Sequence, residues 1–148
     1  MLRAGWASGL CVRVVEGETY NALAAADAAI VSSGTATVEA ALLNTPMVVV
    51  YRVSPLTATL AKPLVRTPYF AMVNLIAEKE VVVELVQDDF TPRAVADEAL
   101  RLLQDPNARN SQRAGLAEVR RRLGPPGAVE RAADQIVSLL EAGAGNAS

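Results

Sequence analysis

Short apolar runs alternate with short helical stretches over the first half of this chain, and the connections between them are brief. Residues 12–15 form a β-branched run that ends at the breaker Gly17. Thr19 opens a helix through Ala26, and Asp27 closes it. Residues 28–32 read as a second, buried strand. Ser33-Gly34-Thr35 follows as a polar turn, and residues 37–43 make a helix rich in Ala and Leu. Asn44-Thr45-Pro46 ends that helix, since Pro46 cannot continue it. Residues 47–53 are the strongest strand candidate, and Pro55 opens another helix through Val65, interrupted at Pro63. Strand and helix alternating on short links is the pattern of βαβ units. It predicts an α/β fold built on a parallel, doubly wound sheet.

Beyond Val65 the pattern weakens, and residues 72–77 and 81–86 each read as a strand or an irregular segment. From Pro92 the period becomes helical. Val95, Ala99, Leu102 and Leu103 share one face, with Pro92 suited to a first helical position. A second helix carries Leu116, Val119 and Leu123, and Gly124-Pro125-Pro126-Gly127 stops it. A third carries Val129, Ala132, Ala133, Ile136, Val137 and Leu140, and residues 142–148 are expected to fray. The chain of 148 residues is therefore expected to be one domain, with an α/β part over 12–90 and helices over 91–141. A doubly wound sheet normally has about five or six strands. Three clear ones here imply a partial sheet that begins inside a domain.

Composition narrows the functions available. The chain is 51% hydrophobic but only 4% aromatic, so the core comes from Ala, Val and Leu. Small and β-branched residues suit helices packed closely on a parallel sheet. There is no histidine, which excludes His-dependent triads, imidazole bases and His metal ligands within this polypeptide. No carboxylate cluster suggests a metal or cofactor. Net charge is −2, so the chain has no overall electrostatic footprint for nucleic acid. Cys11 is the only cysteine, which fits a reducing, cytoplasmic compartment. The opening residues are too short and too broken by Gly and Ser for a secretory signal. No apolar run approaches the roughly 18 residues of a membrane span.

Chemistry concentrates at the turn SSGTATVE between a strand and a helix. In open α/β sheets ligands bind beyond the carboxyl ends of the strands. The following helix presents free N–H groups and the positive end of its dipole to an anion such as phosphate. Gly34 lets the backbone approach closely, Ser33, Thr35 and Thr37 carry hydroxyls, and Glu39 is expected in the first turn, within reach of ribose hydroxyls. The same residues also suit an ordinary helix start. Arg52 ends the strong strand, where it either faces that crevice or forms a surface ion pair. Asn74 lies in an apolar run, so it either satisfies a local turn or contacts a ligand, and Gln87 poses the same choice. Arg113 with Arg120-Arg121-Arg122 makes a basic helical segment, either a solvated face or one drawn to an anionic membrane surface.

Residues 25–52, AADAAIVSSGTATVEAALLNTPMVVVYR, closely resemble the donor-binding core of lipid-A-disaccharide synthases. The resemblance continues in order through Pro55-Leu56-Thr57, Leu60-Ala61-Lys62, VNLIA at 73–77, VVVELVQ at 81–87, and Arg120 with Leu123-Gly124. It covers residues 12–140. Two departures stand out: next to the crevice, Glu78-Lys79 stands where the family usually has Gly-Arg, and Val73 and Val83 replace its usual prolines before Asn74 and Glu84.

The resemblance implies the C-terminal, Rossmann-like lobe of an inverting GT-B glycosyltransferase of lipid A and lipopolysaccharide biosynthesis. Such enzymes join UDP-2,3-diacylglucosamine to 2,3-diacylglucosamine 1-phosphate and release UDP, without a metal or other cofactor. It implies that Ser33, Gly34, Thr35, Thr37 and Glu39 line the UDP site, that Asn74 and Gln87 complete it, and that Arg52 adjoins it. It assigns no catalytic residue to this chain, because the base and most of the acceptor site belong to an N-terminal lobe that is missing here. A lone lobe of this kind is expected to be inactive, and its exposed half-interface to favour self-association. Two alternatives stay open: a non-catalytic nucleotide-sugar-binding module, and a GT-B enzyme for another UDP-sugar.

Overall fold

Three parallel strands stand at the centre of the molecule: β1 (Ala29–Ser32), β2 (Met47–Tyr51) and β3 (Glu84–Val86), in the order β1-β2-β3. The computed structural model describes residues 12–52 and 68–145. Ala29 pairs with Met47 and Ser32 with Val50, while Val49 pairs with Glu84 and Tyr51 with Val86. Neighbours in the sheet are neighbours in sequence, so every connection crosses over and all three carboxyl ends share one edge. This is the parallel α/β class that the alternating pattern predicts.

Six helices among the described residues complete the fold: α1 (Thr19–Ala25), α2 (Thr35–Leu42), α3 (Met72–Ala77), α4 (Pro92–Gln104), α5 (Pro106–Leu123) and α6 (Ala128–Gly145). Helices α2, α3 and α5 pack against one another. Ala40 and Ala41 of α2 meet Leu116 and Val119 of α5 in one core with Val31, Met47, Val49 and Val82. Alanines on α2 leave little side-chain bulk, which lets a long helix settle closely over the sheet. Val48, whose side chain alternates with those of Met47 and Val49, is buried outside that cluster, as is Leu102 of α4. Helix α4 lies against β1 and β2. The sheet is therefore covered on both faces, as parallel sheets require.

Two polar devices fix how the layers meet. Asn44 takes the left-handed conformation (φ 57°) after α2, so that Thr45 N–H donates to Ala40 O and Asn44 N–H to Ala41 O, each at 3.0 Å. That Schellman closure ends the helix just before Pro46. On α5 the buried Gln112 side chain accepts from Met47 N–H at 2.7 Å and donates to Met47 O at 3.1 Å. An amide side chain thus occupies the place that a strand's peptide group would take beside the start of β2.

Several sequence expectations need correction. Residues 12–15 form no strand: they pair with nothing described, and Val12 and Val14 are 62% and 68% exposed. α1, which follows them, likewise buries no residue fully. Residues 72–77 are helical, with Val73, Asn74 and Ala77 inward at helical spacing, because tertiary hydrogen bonds override the β-propensity of the run. Of 81–86 only Glu84–Val86 is strand. Leu103 and Leu123 are half-exposed, and the stripe of α6 is uncovered, Val129 at 79%. α6 runs on through Gly145, beyond the apolar stripe that the sequence shows for it. The helix expected from Pro55 lies outside the described residues. No helix among the described residues is long and apolar enough to cross a membrane.

Candidate functional site

The carboxyl edge begins where β1 runs into Ser33, whose N–H donates to Val50 O at 3.1 Å. Gly34 then adopts φ 140°, ψ −159°, a conformation essentially reserved for glycine. A Cβ built there meets no atom of the chain within 4 Å, so what the chain itself requires of glycine here is torsional. α2 starts at Thr35 with Gly34 as its N-cap and no side-chain cap. Helix geometry leaves the first N–H groups short of intrahelical acceptors, and here no side chain caps them, Gly34 O taking only that of Thr37. An anion at this bend meets those donors and the positive end of the helix dipole together.

The hydroxyls of the bend divide their work. Thr37 is fully buried, and its Oγ1 donates to Gly34 O at 2.7 Å, beside the Thr37 N–H at 3.2 Å. Thr37 therefore locks the bend from inside, while Thr35 is exposed. Ser33 Oγ donates to Phe70 O at 3.1 Å, tying the bend to the segment ahead of α3. Glu39 corrects the sequence expectation. Because α2 begins two residues earlier than its apolar pattern suggests, no acidic residue lies in the first turn and Glu39 opens the second. It is half-buried, and its carboxylate makes no hydrogen bond or ion pair among the described residues.

At the ends of β2 and β3, Arg52 and Gln87 are bound to each other. Arg52 Nη2 donates to Gln87 O at 3.2 Å and to Phe90 O at 2.7 Å, and its guanidinium carbon sits 5.1 Å from the Phe90 ring centroid. Gln87 has φ 55°, and its N–H donates to Tyr51 O. Arg52 therefore staples the turn after β3 to the end of β2 and keeps a positive charge at the edge. It is exposed and forms no carboxylate ion pair among the described residues.

Asn74 lies beneath this edge, fully buried. Its Oδ1 accepts from Val81 N–H and Val82 N–H at 2.7 and 3.0 Å, and its Nδ2 donates to Val82 O and Glu84 Oε1, each at 2.8 Å. Both amide hydrogens and both lone pairs are used, so Asn74 satisfies the local turn through its own chain. Glu84 also accepts from Phe70 N–H at 2.7 Å and Ala71 N–H at 3.0 Å. A cleft of about 280 Å³ opens beside these groups, lined by Tyr69, Phe70, Asn74, Glu84 and Asp89 among others.

Sequence reasoning missed Glu84, although its signal was the one that exposed Asn74: a polar residue inside an apolar run. Ser33, Gly34, Thr35, Arg52 and Gln87 are all brought to the carboxyl edge, with Thr37 and Asn74 behind it. A larger cleft of about 790 Å³ lies before β3, between residues 79–83 and the adjoining parts of α4 and α5. Its charges largely neutralise one another: Arg121 and Arg122 pair with Glu118, and Arg101 pairs with Glu98, whose hydrogen bond raises the Arg101 pKa. Among the described residues no group of three or more His, Cys, Asp or Glu is placed to hold a metal ion.

A family model described as Lipid-A-disaccharide synthetase matches residues 7–137. The lipid-A-disaccharide synthase of Solibacter usitatus is 50% identical over 131 residues, covering 88% of this chain and 34% of its own length. That of Syntrophus aciditrophicus is 44% identical over 130 residues, with the same coverage of 88% and 34%. That of Anaeromyxobacter dehalogenans is 46% identical over 129 residues, 87% of this chain and 34% of its own. The chain thus spans about a third of the length of the curated relatives it matches.

Proposed function

The chain belongs to the lipid-A-disaccharide synthetase family, and on that premise we propose that its carboxyl edge binds the UDP moiety of a UDP-sugar donor. In this reading the diphosphate sits at the Ser33–Gly34–Thr35 bend and takes the free N–H groups at the start of α2. Glu39 accepts hydrogen bonds from the ribose hydroxyls. Arg52 and Gln87 border the nucleotide at the ends of β2 and β3, while Thr37 and Asn74 hold the backbone beneath it. The observation that carries the reading is the start of α2, which no side chain caps, behind a glycine-only bend, with the Glu39 carboxylate, unpaired among the described residues, one turn along.

The donor is UDP-2,3-diacylglucosamine, and the acceptor is 2,3-diacylglucosamine 1-phosphate. The whole reaction inverts the donor's anomeric centre and releases UDP, as a step of lipid A biosynthesis in the cytoplasm. This chain supplies donor binding, and residues beyond it supply the base and most of the acceptor site. Alone, it binds nucleotide without turnover, since a transition state formed between two lobes needs groups from both. Arg113 and Arg120, which carry no ion pair among the described residues, suit peripheral contact with anionic lipid. The uncovered stripe of α6 suits self-association.

Calorimetric titration of the chain with uridine diphosphate tests the proposal. One site is expected, with Glu39→Ala binding roughly tenfold more weakly. No heat of binding, or equal affinity for the two proteins, would sink the assignment. A second reading, a nucleotide-sugar-binding module without catalysis, shares the expected binding of uridine diphosphate. Adding the remaining lobe in trans separates the two: sugar transfer supports the first and its absence the second.

A further inference from the structure

Resting on that reading of the carboxyl edge, we infer that Glu84 is a positioning residue for the nucleotide site, acting through the peptide groups of Phe70. Its carboxylate accepts from Phe70 N–H at 2.7 Å, Ala71 N–H at 3.0 Å and Asn74 Nδ2 at 2.8 Å. A carboxylate with three donors converging on it is held in place and holds its donors in turn. It also stands at the start of α3, where negative charge complements the dipole and where Ala71, the N-cap, offers no side-chain cap. A helix of six residues has little stability of its own, so the cap decides where α3 begins.

Phe70 carries the effect to the bend. Its N–H is held by Glu84, and its C=O accepts the Ser33 hydroxyl at 3.1 Å. Ser33 is in turn fixed to β2 by its N–H to Val50 O. The Phe70 ring lies 6.4 Å from that of Tyr51, at the end of β2. One residue thus spans the gap between the start of α3 and the turn that presents N–H groups to a diphosphate. Glu84 faces Phe70 and Asn74 rather than the bend, so it sets the position of Ser33 without contacting the nucleotide.

The test is uridine diphosphate affinity measured by calorimetry on the full chain, with Glu84→Gln, Ser33→Ala and the double variant. Glu84→Gln keeps the volume but exchanges an acceptor oxygen for a donor that meets backbone N–H groups. It is expected to weaken binding roughly tenfold. Because both residues act through Phe70, the double variant should lose little more than Ser33→Ala alone, whereas a merely structural role makes the two losses multiply. Equal affinity of wild type and Glu84→Gln, or multiplying losses, overturns the inference while leaving the UDP assignment standing. A wild-type chain that binds no uridine diphosphate sinks the assignment and the inference with it. Should Glu84→Gln fail to fold, Glu84→Asp, which keeps the charge and both acceptor oxygens, takes its place under the same outcomes. If neither folds, Glu84 is a folding determinant and the positioning role is refuted.

Discussion

Single residues carry the sharpest local constraints, and only some are visible in the sequence. Gly34 reads from the sequence as a place for close approach, and the fold adds a torsional demand there. Glu78 is the reverse case. It caps α3 at φ 57°, ψ 21°, a left-handed conformation in which glycine is the usual choice. The departure noted at Glu78-Lys79 therefore falls on a backbone position that penalises it. Its ion pair with Arg122 spans 3.8 Å, with the Glu78 side chain 84% exposed, and such pairs contribute little. Glu78→Gly is expected to raise stability by about 0.5–1 kcal/mol, seen as a higher urea midpoint at unchanged slope. Asn74 was legible as a polar residue in an apolar run. Its four hydrogen bonds to Val81, Val82 and Glu84 were not, since they depend on a chain path that local spacing does not encode.

Elements were legible in proportion to how much of their stability is local. α4 announced itself by its period and by Pro92 at its first turn. The fold adds that Thr91 Oγ1 accepts from Ala94 N–H at 3.2 Å. Thr91→Ala should cost about 1 kcal/mol of stability, measured by chemical unfolding. α3 was not legible as a helix. Its β-branched and apolar residues suit a strand, and what makes it helical is the grip from outside the segment of Glu84 on Ala71 N–H and of Glu84 and the Val81 and Val82 peptide groups on Asn74. The basic run at the end of α5 has a structural use beside any external one. Arg120, Arg121 and Arg122 complement the negative end of the helix dipole, and Arg122 Nη1 donates to Ile76 O at 2.9 Å.

At the scale of the whole molecule, the parallel sheet followed by helices was legible because βαβ alternation leaves few topologies. The coupling between its halves was not, because it runs through Gln112, a polar residue on a helix that advertises only Leu116, Val119 and Leu123. Gln112→Ala strips Met47 of a buried donor and acceptor at once. It should destabilise the protein by roughly 2–4 kcal/mol in urea or thermal unfolding, more than either of the other two stability variants changes it. A loss below about 1 kcal/mol would show that water replaces the amide. The two residues of that contact stand 65 apart in sequence. Strand entry and late helix are consequently interlocked like a mortise and its tenon. Synthesis must therefore proceed past Gln112, well beyond the sheet, before the first residue of β2 gains both partners of its peptide group.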